Sequence, residues 1–150
     1  MTTENQALNL VGNLTVTDLA RGCYTTDTAY DRAVAGRIGE GIDPGAFDRA
    51  PQAQRDLIIA NVRKVLETPT ITPAQIHANW LELMKAQGWT RGATTNVDRK
   101  QHALLVPYTE LTPADQIKSV LFIANVRGFM EPVGGKDGKA VGQSALRTEP

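Results

Sequence analysis

The stretch 72-TPAQIHANWLELMKAQGW-89 decides how the chain is read. Thr72 is suited to an N-cap, and Gln75 three residues on completes a capping box. Pro73 fits the first helical position, where its missing N–H costs nothing. Ile76, Trp80, Leu83 and Met84 then fall on one helical face. Gly88 is suited to the left-handed backbone that closes a helix. The segment therefore predicts one amphipathic helix with both ends specified.

The same logic extends in both directions. Thr15 with Asp18 marks the start of a first helix, whose stripe is Val16, Leu19, Ala20, Cys23, Tyr30 and Val34. The threonines between Tyr24 and Thr28 are expected to kink or break it. The glycine-rich run 36-GRIGEGIDPG-45 reads as a loop. A second helix starts at Pro51, buries Leu57, Ile58, Val62, Val65 and Leu66, and stops before Pro69. After Gly88 the periodicity changes. Trp89–Arg91 and Ala103–Tyr108 are short extended candidates, joined by the polar run 93–101 as a small hairpin or ordered loop. Pro107 confines the second of them to an edge. A fourth helix starts at Thr112-Pro113 with Asp115 at N3 and ends at Gly128. Its residues Ile117, Val120, Leu121, Phe122, Ile123, Ala124 and Val126 are apolar nearly all round, which suits burial or contact with another subunit.

The expected architecture is mainly α: a small bundle of about four helices with a short extended loop or hairpin. A polar arm (1–14) precedes a single domain (15–130), and a flexible or docking tail (131–150) follows it. The pentapeptide Ile59-Ala60-Asn61-Val62-Arg63 returns as Ile123-Ala124-Asn125-Val126-Arg127. Two readings stay open: similar amphipathic helices, or a duplicated helix pair with a pseudo-twofold axis.

Composition narrows the function. Lys+Arg and Asp+Glu are both 16 and the sequence pI is about 6.7, which excludes a general nucleic-acid binder. The single Cys23 allows no intrachain disulfide and suits a reducing compartment; its place on an apolar stripe makes it core rather than nucleophile. The start has neither a basic n-region nor an apolar h-region, and no run reaches the ~18 apolar residues of a membrane span. A cytoplasmic location is expected.

Neither His77 nor His102 lies in a catalytic or metal-binding motif. No catalytic residue, metal site or cofactor is assigned, and the chain is read as a non-enzyme. The plainer view of the two histidines is that they hydrogen-bond and orient a loop. The tail's Gly134 to Lys139 lacks phosphate-loop spacing. The remaining candidate is the tryptophan segment. Trp80 and Trp89 are the only tryptophans, and Arg91, Arg99, Lys100 and His102 follow closely. Aromatic faces stack on bases for roughly 1–3 kcal/mol each, and cationic side chains hold phosphate oxygens. Taken on composition alone, Trp80 as core and the cations as a solvated loop tip remain the better account.

These residues also carry a resemblance. His77-Ala78-Asn79-Trp80, Gly88-Trp89-Thr90-Arg91-Gly92, Lys100-Gln101-His102, Leu105-Val106-Pro107-Tyr108 and Leu111-Thr112-Pro113 follow one another as in the RyR domain. This is the repeat of ryanodine receptors, which also occurs in small bacterial and phage proteins. The motif core spans residues 71–129, and 50-APQAQRD-56 resembles the segment before it. The chain departs from the family pattern at Arg91, usually aromatic, and at Ala103, usually proline. It departs again at Ala78-Asn79 and at Ser119, where acidic residues are common. The resemblance implies a helical, non-catalytic module that binds a nucleotide or nucleotide-derived signal in phage–bacteria defence or counter-defence. Its setting would be a bacterial host cell or a phage particle. On that footing Trp80 or Trp89 stacks on a purine-like ring, and Arg91, Lys100 and His102 meet phosphate or ribose oxygens. Tyr108 lines the floor and His77 borders the pocket. The rival expectation is a homo-oligomer or phage assembly protein that uses the same fold for interaction.

Overall fold

The computed structural model describes residues 10–37 and 39–130. Helix α1 (Val16–Val34) starts at Thr15, whose hydroxyl accepts from the Asp18 N–H, while the Asp18 carboxylate accepts from the Thr15 N–H. That backbone N–H, with help from Arg21, holds the Asp18 carboxyl below its usual range against partial desolvation. The threonine run does not break the helix. Thr25 and Thr28 instead bond their hydroxyls to the carbonyls of Arg21 and Tyr24, one turn back. Val34 departs from the expected stripe and is exposed at the helix end.

The next loop ends in a single helical turn, α2 (Ala46–Arg49), which buries Phe47 edge-on to Tyr24 at 5.7 Å. Helix α3 (Gln52–Glu67) follows directly, with Pro51 as its N-cap. Helix α4 (Pro73–Ala86) carries the expected capping box between Thr72 and Gln75. Helix α5 (Pro113–Gly128) is capped by Thr112, whose hydroxyl accepts from the Asp115 N–H.

α1 packs on α3 and α5, and α4 packs on the same two helices. α3 and α5, the helices that carry the repeated pentapeptide, also touch each other. This pattern is unchanged when α1 is exchanged with α4 and α3 with α5. The matching valines, Val62 and Val126, are both fully buried. The surrounding core is built from Val16, Leu19, Ala20, Cys23, Phe47, Val65, Ile71, Ile76 and Ile123. Burial pushes the Cys23 thiol up to about 12, which keeps it protonated. Leu10 belongs to this core too. It bridges to Met130, and the Val11 N–H donates to the Phe129 carbonyl at 2.9 Å. The described end of the expected arm is therefore docked on the bundle, while the expected tail at 131–150 lies outside the described residues.

The extended part differs from a simple hairpin. β1 (Thr90–Arg91) pairs in parallel with β2 (Gln101–His102), in the register Thr90↔Gln101 and Arg91↔His102. A parallel pair fits here because the connection first doubles back, with Asn96 bridging Gln101 in the antiparallel sense. The second strand is 101–102 rather than 103–108. Beyond His102 the backbone turns on itself, with Leu105 N–H bonding to His102 and Val106 N–H to Leu104. A short 3-10 helix at Tyr108–Glu110 then leads into α5. No described helix is long and apolar enough to cross a membrane.

Candidate functional site

The end of α4 sets the site. Gly88 takes φ +91°, its N–H bonds to the Lys85 carbonyl, and the Trp89 N–H bonds to the Met84 carbonyl. Those bonds end the helix and turn Trp89 back against Met84. Leu57, Met84 and Leu105 form a second, smaller apolar cluster, flanked by Trp80, Leu81, Leu83 and Trp89.

Five predicted residues converge around it. Trp80 lies 5.5 Å from the His77 ring and 5.0 Å from the His102 ring, the latter nearly perpendicular. His102 also meets Trp89 at 6.1 Å, and His77 meets Tyr108 at 6.0 Å. These rings come from α4, the turn after it, β2 and the 3-10 helix. Tyr108 is tied to α5 by Gln116, whose Nε2 donates to the Tyr108 carbonyl at 3.1 Å.

Both histidines also hold loop backbone. His77 is 7% exposed, and its Nε2 is 2.8 Å from the Val106 carbonyl oxygen. That oxygen only accepts, so Nε2 carries the proton. The His102 Nδ1 accepts from the Leu104 N–H at 3.1 Å, which places the proton of the neutral ring on Nε2. Burial lowers the pKa of His77, partly offset by the Val106 carbonyl. Burial also lowers that of His102, with a further push from Lys118, and Asp31 opposes it. Both rings are neutral at pH 7.

Two predicted residues make no ring contact among the described residues. Arg91 is exposed on β1. Lys100 takes φ +53° and donates its Nζ to the Gln87 carbonyl at 2.8 Å, so its charge sits on the C-terminal end of α4. No group of described residues is placed to hold a metal ion.

Three further charged residues were not anticipated: Asp27 and Asp31 on α1, and Lys118 on α5. The Lys118 Nζ lies 2.6 Å from Asp31 Oδ1 and 3.3 Å from Asp27 Oδ1. Burial works against the Lys118 ammonium, but Asp27 and then Asp31 outweigh it and raise its pKa. Desolvation raises the Asp27 carboxyl, with Lys118 opposing, although its side chain is 52% exposed. Nearby, the Tyr30 hydroxyl donates to the Ala114 carbonyl at 2.6 Å and pins α1 to α5. One signal for the acidic pair was available: Asp27 and Asp31 are four apart and share a helix face. Lys118 on a mostly apolar helix was the other.

Compared with protein-family models, curated proteins and solved structures, the chain matches none of them.

Proposed function

We propose that the chain is a non-catalytic ligand-binding module of the RyR-domain type, and that its ring cluster takes a nucleotide or nucleotide-derived molecule. The observation that carries this reading is the convergence of His77, Trp80, Trp89, His102 and Tyr108 from four separate segments. A purely structural core has no need of two indoles and an imidazole left partly accessible at one edge, with a second, buried imidazole behind them. A flat heteroaromatic ring suits such an edge, since stacking and hydrogen bonding act on it together. The geometry changes the expected division of labour. Lys100 is engaged on the end of α4, so Arg91 is the better placed of the two cations for a phosphate. A cellular role in phage–bacteria defence or counter-defence follows from the resemblance alone.

Tryptophan fluorescence tests the reading, because both reporters are in the site. Adenine nucleotides, cyclic dinucleotides and ADP-ribose derivatives are titrated into the full chain. Saturable quenching with a matching thermal shift is expected for at least one of them. No response to any at millimolar concentration removes the proposal.

A second reading is supported by Ile117 and Val120, which are 43% and 45% exposed on the outer face of α5. Such a stripe suits an interaction or assembly module that pairs with a second copy of the chain. Light scattering separates the two: a stable oligomer disrupted by Ile117→Lys favours assembly, and a strict monomer counts against it.

A further inference from the structure

The two imidazoles hold one short segment by opposite chemistry. His77 donates: its Nε2–H meets the Val106 carbonyl at 2.8 Å. His102 accepts: its Nδ1 takes the Leu104 N–H at 3.1 Å. Between these ties the segment folds on itself, with Leu105 N–H on the His102 carbonyl and Val106 N–H on the Leu104 carbonyl. Leu105 is thereby held in the second apolar cluster with Leu57 and Met84, flanked by Trp80 and Trp89. A proton affects the two rings differently. An imidazolium donates from both nitrogens and accepts at neither. Protonated His77 keeps its bond to Val106. Protonated His102 loses its bond, because a new Nδ1–H then faces the Leu104 N–H.

The surroundings weigh against charge on His102. Burial opposes it first, Lys118 on α5 and His77 on α4 add to that, and Asp31 on α1 works the other way. Its register partner on β1 is Arg91, a further cation. The Trp80 ring, 5.0 Å away, attracts an imidazolium, but it restores no partner to Leu104. We propose that residues 102–106 form a proton-operated strap: protonation of His102 releases Leu104, frees Leu105 from Leu57 and Met84, and opens the cluster beside the two tryptophans. The strap stands on the loop alone, whatever the ring cluster binds. The released ring titrates near 6.5 and the strapped ring below it, so the open form gains as pH falls below 6.5. From pH 7.5 to 5.5 the gain for one ring reaches up to roughly tenfold.

Amide hydrogen exchange of the full chain, followed by NMR and corrected for the intrinsic effect of pH, tests the strap. Local opening gives exchange that low urea leaves unchanged, whereas global unfolding gives exchange that urea accelerates. Opening at Leu104 and Val106 is expected to rise up to roughly tenfold from pH 7.5 to 5.5, without urea dependence. Leu19 and Ala20 in α1 should exchange far more slowly and only through urea-sensitive unfolding. His102→Asn separates the proton from the bond: a carboxamide oxygen accepts from the N–H two residues on and does not titrate. That variant should keep the strap closed at pH 7.5 and lose the acid response. If it fails to fold or to close the strap, the native chain decides by its midpoint, which must coincide with the titration of the His102 ring resonances and not those of His77. Unchanged exchange at Leu104 and Val106, a rise that urea accelerates and Leu19 shares, or an equal acid response in His102→Asn each overturns the strap. None of these outcomes touches the proposed ligand, which the fluorescence titration tests separately.

Discussion

The molecule holds two apolar centres that differ in kind. The larger is closed: Val16, Leu19, Ala20, Val62 and Val126 are almost wholly hidden, and its buried thiol, Cys23, is held neutral. The smaller has only Leu57, Met84 and Leu105 fully buried, and its remaining wall is tryptophan and leucine left partly open. Helix α4 serves both, with Ile76 in the first and Trp80 and Met84 in the second. A closed core rewards volume and shape. An open cluster lined by indoles and met by imidazoles rewards a partner that completes it. Stability and binding should thus be separable by substitution.

The largest effect is expected in the closed core. Leu19→Ala should cost about 3 kcal/mol, within the usual range for a buried leucine truncated in place. Urea denaturation measures it. The near-UV circular dichroism of Trp80 and Trp89 should survive in the folded variant; loss of that signal would show that the two centres are not independent.

Trp80→Ala comes next. Its ring is only partly buried, so roughly 2 kcal/mol of stability is expected to go, below the loss for a fully enclosed tryptophan. All ligand-induced quenching of Trp89 should go with it. Quenching that persists at unchanged affinity would move the ligand away from the ring cluster.

Acidification divides the two centres without mutation. His77 and His102 both have lowered pKa values in the fold. The unfolded chain therefore binds more protons below pH 6.5, and stability is complete above that value and falls as pH drops below it. Asp27, raised by desolvation, works in the opposite direction at lower pH, nearer the carboxylate range. Urea midpoints between pH 7.5 and pH 5 should fall for the native chain and fall less for His102→Gln. An equal slope in both would remove His102 as a contributor.

The closed core was legible in the sequence because its signals are local. Capping boxes at Thr15 and Thr72, prolines at 51, 73 and 113, and an apolar stripe on each helix need no knowledge of long-range contacts. The open cluster was legible only in part. Trp80, Trp89, His102 and Tyr108 were visible as rare residue types in one segment. The charged group of Asp27, Asp31 and Lys118 was not visible, because Asp31 and Lys118 lie 87 positions apart and meet only through helix packing. Parallel pairing of β1 with β2 was hidden for a similar reason: it depends on Asn96 turning the loop back on Gln101. Lys100 misled for the opposite reason. A lysine in a polar loop reads as a free cation, yet its nearest unmet carbonyl was the one ending α4.

Gly88 joins the two regions and gives the smallest predicted effect. Its φ of +91° is one that a side chain resists, and a Cβ there would meet only the end of Lys100, at 3.8 Å. The cost of Gly88→Ala is therefore backbone strain rather than collision, about 1 kcal/mol. That strain falls on the two hydrogen bonds that end α4, so relaxation should displace Trp89 while leaving the closed core unaltered. In a Trp80→Phe background, where Trp89 is the only reporter, the emission maximum should shift to the red as the ring gains water. An unshifted spectrum with the same loss of stability would mean that Met84 and Leu105 hold Trp89 in place without help from the turn.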